Sequence, residues 1–311
     1  MRPCLLFLSG SDRAEDWSRA IKALMPDLDI RVWPDCGDPG DITYALPWKP
    51  PSGALKPFKN LKAILSLGAG VDGLIGTDLP PGVPILRMVD AQLTRGMVEY
   101  ALYWVLHFHR AMPAYAEAQA AGVWRGGLVI PDTPQTVVGV MGLGEIGGAV
   151  ARAFASVGFA TRGYSTRPRA VGGVEVFAGE AQLPAFLAGC RFLVCVLPLT
   201  PATRGILGAE TFALLPEGAV VINIARGGHL DDQALIAALN AGRIGHAVLD
   251  VFHGEPLAPD HPFWRHPKVT ITPHIASVTL PRTGAAHVVE CIRRAEAGLP
   301  IGPLVDLSRG Y

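Results

Sequence analysis

No stretch of this chain is both long and apolar enough to cross a bilayer, which takes ~20 consecutive apolar residues. The first apolar run, Leu5-Leu6-Phe7-Leu8, gives way to Ser9-Gly10-Ser11-Asp12 and is too short for the core of a secretion signal. Cysteine is scarce. The five (Cys4, Cys36, Cys190, Cys195, Cys291) are odd in number, scattered and never spaced C-x-x-C, which argues against a disulfide framework and for reduced thiols. Charge of one sign is not in excess either: 27 Lys and Arg stand against 27 Asp and Glu, so no global field recruits nucleic acid or an anionic membrane surface. No cluster of His, Cys and acidic residues has metal-ligand spacing, and no repeat or low-complexity segment is present. These absences point to a protein of a reducing cytoplasm whose partner is a small molecule.

What is present is apolar bulk: half of 311 residues are hydrophobic, enough for two domains of roughly 100–200 residues rather than one core. Strand-like runs alternate with helical patterns, which predicts parallel sheets built from β-α-β units. In the first hundred residues the expected strands are 4–8, 30–33, 43–46, 63–67 and 85–88, with a helix over 17–24. A long helix is expected from Met97, where Ala101, Trp104, Val105, Phe108 and Met112 recur at helical spacing until Pro113. Six further strands are expected at 137–141, 160–164, 192–196, 219–224, 246–251 and 269–272, the number for a doubly wound sheet. A last helix over 283–297 leads into a tail too short to fold alone, which places the C-terminus back on the first domain.

The run Val137-Val138-Gly139-Val140-Met141-Gly142-Leu143-Gly144-Glu145-Ile146-Gly147 ends a strand in G-x-G-x-x-G and leads into a helix over 149–157. Gly142 allows the tight turn, Gly144 lets backbone approach a pyrophosphate, and Gly147 lets helix and strand pack closely. The helix N-terminus around Glu145 and Ile146 faces the phosphates. The next strand should end in an acidic residue if NAD is preferred, because that carboxylate binds the ribose 2′-hydroxyl. It runs instead into Ser165-Thr166-Arg167-Pro168-Arg169, hydroxyls and guanidiniums that suit a 2′-phosphate, so NADPH is the expected cofactor with NADH less preferred.

Three polar residues lie just past the carboxyl ends of successive strands, where open α/β sheets hold ligands: Arg226, Glu255 and His274. Reducing a 2-oxo acid needs a hydride at C2, a proton for the developing alkoxide and a cation for the carboxylate. Arg226 can clamp carboxylate and carbonyl oxygen, His274 can give the proton, and Glu255 can hold the imidazolium. The remaining histidines read as structural, with His253, two residues before Glu255, the nearest competitor. Asp72 reads as the cap of a helix that begins beside it rather than as a substrate ligand.

With these residues in view, the chain resembles the D-isomer-specific 2-hydroxyacid dehydrogenases, and within them the glyoxylate/hydroxypyruvate reductase A branch. The likeness runs along the whole chain: Gly68-Ala69-Gly70-Val71-Asp72, the dinucleotide fingerprint, Leu197-Pro198-Leu199-Thr200-Pro201, Asn223-Ile224-Ala225-Arg226-Gly227, Leu249-Asp250-Val251-Phe252, Glu255-Pro256-Leu257, Thr272-Pro273-His274-Ile275-Ala276 and the closing Ser308-Arg309-Gly310-Tyr311. It implies a Rossmann-type doubly wound coenzyme domain (97–280) inserted into a smaller flavodoxin-like α/β substrate domain (1–96 and 281–311). It further implies that backbone at Ala69, Gly70 and Val71 holds the substrate carboxylate and that Trp48 walls the pocket. Pro198, Thr200 and Ala225 would line the coenzyme path, and Asp250 would face the nicotinamide carboxamide. A homodimer is implied too, with Trp124 near the position from which related reductases reach a neighbouring subunit. The expected reaction is NADPH-dependent reduction of glyoxylate to glycolate or hydroxypyruvate to D-glycerate. The alternatives are a phosphoglycerate-type or larger 2-oxo acid dehydrogenase on the same scaffold, or a non-catalytic dinucleotide-sensing protein.

Overall fold

The computed structural model describes residues 2–75 and 78–307, so the closing Ser308-Arg309-Gly310-Tyr311 motif lies outside the described residues. In chain order the elements are β1 (Cys4–Ser9), α1 (Ala14–Leu24), β2 (Asp29–Val32), β3 (Tyr44–Trp48), β4 (Ala63–Leu65), β5 (Ile85–Leu86), α2 (Ala91–His109) and α3 (Met112–Ala120). They continue with β6 (Val137–Met141), α4 (Glu145–Val157), β7 (Ala160–Ser165), β8 (Glu175–Ala178), α5 (Leu183–Leu187), β9 (Cys190–Cys195) and α6 (Ala209–Leu214). Last come β10 (Ala219–Asn223), α7 (Asp232–Asn240), β11 (Ile244–Leu249), β12 (Val269–Ile271) and α8 (Pro281–Glu296). The chain divides into two compact units, Met1–Leu93 with Val278–Tyr311, and Thr94–Ser277.

In the discontinuous unit, five parallel strands run in the order β2-β1-β3-β4-β5, the flavodoxin-like order. Side chains alternate across a strand, so a parallel sheet covered on both faces needs apolar residues at nearly every position. β1 meets this need: Leu5 and Phe7 pack with Trp17 and Ile21 of α1 and Val288, Val289 and Ile292 of α8. Cys4, Leu6 and Leu8 point the other way, toward Ile42, Leu55 and Phe58. The C-terminal helix thus completes the core of the N-terminal sheet.

The continuous unit carries seven parallel strands in the order β12-β11-β10-β9-β6-β7-β8. Counted from β6, this is the Rossmann order with one strand added, and the order reverses between β6 and β9. Alternation again divides each strand between two cores. Val138 and Val140 of β6, Phe192 and Val194 of β9, and Val220 and Ile222 of β10 face Met97, Ala101 and Val105 of α2 and Val150 and Phe154 of α4. Met141, Leu193, Cys195 and Val221 face Phe186, Phe212 and Leu235 on the opposite layer.

Several details differ from the sequence-based expectation, beginning with α2, which starts at Ala91 rather than Met97. The long helix does not run on to Pro113: it stops at His109, Ala111 turns left-handed (φ 53°), and Pro113 enters the first turn of α3, where its missing N–H costs nothing. A seventh strand, β8, pairs with β7 at the sheet edge. Glu175 is exposed, and the half-buried Val176-Phe177-Ala178 is too short an apolar run for the sequence pattern to mark as a strand.

A polar anchor ties β3 to α8 in the discontinuous unit. The Tyr44 hydroxyl, on β3, donates to Glu296 Oε1 at 2.6 Å, and Lys62 Nζ reaches the same oxygen at 2.7 Å. Burial pushes the Glu296 carboxyl up, but the bonds from Lys62 and Tyr44 outweigh it and leave the group below its ordinary value. A carboxylate with a depressed folded pKa stabilises the fold above its unfolded pKa and loses that contribution as pH falls through the folded value. Glu296→Gln should therefore cost about 1–2 kcal/mol at neutral pH, and the gap to wild type should close in acid, below the carboxylate range. Urea melts across pH measure this; a pH-independent gap would contradict it.

Candidate functional site

The fingerprint loop forms as a strand-turn-helix at the point where strand order reverses. Gly142 follows β6 with φ 97°, a conformation that disfavours any side chain, and a Cβ there would stand 2.8 Å from the Val196 carbonyl oxygen after β9. At Gly147 a Cβ would run into the Gly142 carbonyl, so the helix can approach the turn only with glycine. At Gly144 the Cβ position meets nothing within 4 Å. That open space lies at the N-terminus of α4, which no side chain caps, with Glu145 and Ile146 in its first turn. An uncapped helix start beside an open backbone surface is what a pyrophosphate requires, so the residues present fit a dinucleotide.

Ser165 ends β7 buried, and its hydroxyl donates to the Arg167 carbonyl at 2.7 Å, bending the chain so that Thr166 and Arg167 stand exposed. Arg169 reaches back to donate to the Leu143 carbonyl inside the fingerprint loop. The basic segment is therefore folded against the phosphate turn. On the other side of the switch point, the Thr203 hydroxyl donates to the Pro198 carbonyl at 2.7 Å, and the Thr200 amide donates to Thr203 Oγ1 at 2.9 Å, which fixes the turn after β9.

The three strand-end candidates lie on adjacent strands whose ends are in register: Asn223 of β10 pairs with Leu249 of β11, and Leu249 with Ile271 of β12. Arg226 and His274 each follow three residues past those aligned ends. His274 Nδ1 lies 2.9 Å from Glu255 Oε2, while Glu255 Oε1 accepts the Phe252 amide at 3.2 Å. The carboxylate thus takes a hydrogen from Nδ1 and leaves Nε2 as the imidazole edge for other chemistry. Arg226 is half-buried, with an Nη1 donating to the Ala225 carbonyl at 2.7 Å and its amide donating to His229 Nδ1 at 3.2 Å. Asn223, wholly buried, accepts from the Ala225 amide and donates to the Arg226 carbonyl, shaping the turn that presents the guanidinium.

Asp250 has a larger structural part than the sequence suggests. Almost fully buried, it accepts the Thr272 hydroxyl at 2.6 Å and the Ile275 amide at 2.8 Å on Oδ1, and the Ala276 amide at 2.9 Å on Oδ2. Burial pushes its carboxyl up, and these bonds oppose the shift. Because Thr272 spends its hydrogen on Asp250, the Tyr100 hydroxyl, 2.6 Å away, must be the donor to Thr272. Tyr100, pushed up to about 12 by burial, is thus held as a neutral phenol at the end of this chain. Tyr100 escapes sequence reasoning because its place on α2 looks like one more apolar helical position. His253, the nearest competitor to His274, is tied to the Leu230 carbonyl at 2.8 Å.

In the other unit, Trp48 ends β3, and its ring covers Gly68 so closely that a side chain there would collide with it. Lys49 turns left-handed (φ 44°) with its ammonium 5.8 Å from the Trp48 ring centroid. Ala69 and Gly70 are half-exposed and Val71 is buried, its carbonyl accepting from the Leu74 and Ile75 amides. A turn, rather than the expected helix, therefore follows Asp72 among the described residues.

Residues 102–276 match the model of the family described as D-isomer specific 2-hydroxyacid dehydrogenase, NAD binding domain. The chain is 41% identical over 314 residues to a glyoxylate/hydroxypyruvate reductase A of Yersinia enterocolitica, covering 99% of each. Its structure is similar to a D-isomer specific 2-hydroxyacid dehydrogenase of Xanthobacter autotrophicus in complex with NADPH and MES (TM-score 0.95, 45% identity, 100% of both chains). It is similar also to an NADPH-dependent glyoxylate/hydroxypyruvate reductase of Sinorhizobium meliloti in complex with NADP and sulfate (TM-score 0.93, 36% identity, 99% of this chain and 100% of that one). With a Rossmann sheet built for a nicotinamide dinucleotide and a family match over most of its length, the chain belongs to the D-isomer specific 2-hydroxyacid dehydrogenases and is an oxidoreductase.

Proposed function

We propose that this protein reduces small 2-oxo acids, glyoxylate to glycolate and hydroxypyruvate to D-glycerate, with NADPH as the preferred coenzyme. The observation that carries the reading is the Glu255–His274 pair at 2.9 Å beside the strand end that presents Arg226. Glu145, Ile146 and the glycines of the fingerprint loop would hold the coenzyme through its pyrophosphate, and the reduced nicotinamide would supply the hydride. Arg226 binds the carboxylate and polarises the C2 carbonyl; His274 Nε2 gives the proton to the oxygen as negative charge develops there. Glu255 keeps the Nδ1 hydrogen in place and stabilises the imidazolium before the proton leaves it. Within the discontinuous unit, the backbone of Ala69, Gly70 and Val71, with Trp48 beside it, is the segment we assign to carboxylate binding. A small substrate suits a loop over which a tryptophan already lies. Asp250, after its three bonds, would have acceptor capacity left for the carboxamide.

The preference for NADPH follows from residues 165–169. Thr166 and Arg167 are exposed where an acidic residue would bind a free 2′-hydroxyl, and Arg169 anchors the segment to the phosphate turn. Val123, Trp124 and Val129, exposed by 57%, 100% and 92%, support assembly into a homodimer that would cover them. Five free thiols, four of them buried, suit a reducing cytoplasm.

Oxidation of NADPH in the presence of glyoxylate or hydroxypyruvate tests the reaction; a folded, coenzyme-binding protein inert toward both would refute it. His274→Ala should lower kcat by about 10²–10⁴-fold while leaving the Kd for NADPH nearly unchanged, as removal of a general acid requires. Coenzyme loss in parallel with activity would assign His274 a binding role instead. Arg167→Glu should lower the ratio of kcat/KM with NADPH to that with NADH by roughly 10- to 100-fold, the worth of a charge-assisted bond lost. An unchanged ratio would leave the 2′-phosphate without Arg167 as its partner.

A further inference from the structure

His229 lies three residues after Arg226, in the short turn Gly227–His229, and is completely buried. A histidine with no exposure needs hydrogen-bond partners for both ring nitrogens, since an unpaired buried polar atom costs about 1–3 kcal/mol. Both are paired, and both partners are backbone groups of the candidate site. Nδ1 receives the Arg226 amide at 3.2 Å, and Nε2 lies 3.2 Å from the Pro198 carbonyl. Nδ1 also lies 3.1 Å from the Arg226 carbonyl, but that oxygen already accepts from Asn223 Nδ2 and from the His229 amide. Nδ1 is therefore the acceptor, and the ring hydrogen sits on Nε2, donated to Pro198. The imidazole joins two turns on neighbouring strands: the one after β9 expected along the coenzyme path, and the one after β10 that presents the guanidinium.

The main chain at His229 is held without the ring. The His229 carbonyl accepts from the Leu207 amide at 2.9 Å, and the Gly228 carbonyl from the Gly205 amide at 3.0 Å. Replacing the side chain thus removes the two ring contacts and spares the backbone of the turn. With no exposed edge and both nitrogens spent on backbone, the ring has no proton to trade with a substrate. Its work is placement.

We propose that His229 is a positioning residue for the reduction: its neutral, Nε2-protonated ring fixes Arg226 through the Arg226 amide and sets it relative to the Pro198 turn. The proposal rests on the functional reading above. Arg226 would then bind the 2-oxo acid poorly once its amide lost the ring, because misplacement by about 1 Å can cost 10²-fold.

The test is steady-state kinetics with glyoxylate and NADPH for wild type, His229→Phe, His229→Asn and His229→Gln, alongside melting temperatures. Phenylalanine keeps the ring volume and loses both bonds. Asparagine places an amide oxygen near the Nδ1 position and cannot reach Pro198. Glutamine reaches Pro198 and cannot stand in at Nδ1. The expected result is a KM for glyoxylate raised about 10- to 100-fold in the Phe and Gln variants and largely restored in the Asn variant, whatever the order of melting temperatures. A KM within twofold of wild type in the Phe variant overturns the proposal, as do equal losses in Asn and Phe that track their melting temperatures. A wild-type protein that binds NADPH and reduces no 2-oxo acid removes the functional reading, and the role of His229 with it. An active wild type with indifferent variants removes only the role of His229.

Discussion

The Asp250 carboxylate holds together the part of the continuous unit on which the proposed chemistry depends. Parallel strands end side by side, and their ladders stop at Asn223, Leu249 and Ile271, short of every candidate side chain. Past those residues each strand makes one more inter-strand bond, from the Ile224, Asp250 and Thr272 amides to the Cys195, Asn223 and Leu249 carbonyls, and beyond that the loops must be fixed largely by side chains. Asp250, the first residue after β11, takes three donors from the segment after β12, and its own carbonyl accepts the His274 amide at 2.8 Å. Low dielectric makes such a network strong when complete and costly when broken. Tyr100 and Thr272 extend it to helix α2, which is packed against the sheet by Met97, Ala101 and Val105. Hydrophobic burial thus fixes a helix, and the helix fixes the loop that carries the candidate acid through two hydroxyls and a carboxylate.

The turn after β10 is built on a similar plan with different chemistry. Asn223 donates to and accepts from backbone within its own turn, and His229 reaches across to the turn after β9. Neither residue is charged. A carboxylate here would add an anion beside the Arg226 guanidinium; a neutral amide and a neutral imidazole fix its backbone without one. The polar groups that position the candidate cation are therefore neutral, and those that position the candidate acid, Glu255 and Asp250, are anionic.

Most of the fold is legible in the sequence because fully buried parallel strands need continuous apolar runs, and such runs, with glycine at the first β-α turn, leave few other arrangements. β6 is found to the residue, and β1, β9, β10 and β11 to within two residues at either end. What escapes is decided by packing at edges and joints. β8 is a half-exposed edge strand, and the break at Ala111 is a local left-handed residue that helical periodicity runs straight through. The site divides in the same way. Arg226, Glu255 and His274 are legible as candidates because their chemistry is specific and each follows the carboxyl end of one of three adjacent strands. Tyr100 and His229 are not: a tyrosine in an apolar helix and a histidine in a glycine turn read as filler, and only their partners, 172 and 31 residues distant, give them a role.

His274 itself shows why the positioning groups are needed. Its φ of 57° is in the left-handed region, which costs a residue with a Cβ about 1–2 kcal/mol relative to the ordinary helical conformation. Glycine would relieve that cost and abolish the imidazole, so the chain keeps the side chain and restrains the backbone. The His274 amide is shared between the Asp250 and Thr272 carbonyls, and the next two amides both bind the Asp250 carboxylate. Hydrogen bonds to a charged acceptor contribute roughly 1.5–3 kcal/mol each, so this pair alone exceeds the strain. Glu255 then has only the ring to orient, which a single bond to Nδ1 accomplishes. The left-handed turn sends the chain from β12 back over Asp250 while aiming the side chain at Glu255, and the buried carboxylate is what makes that conformation the stable one.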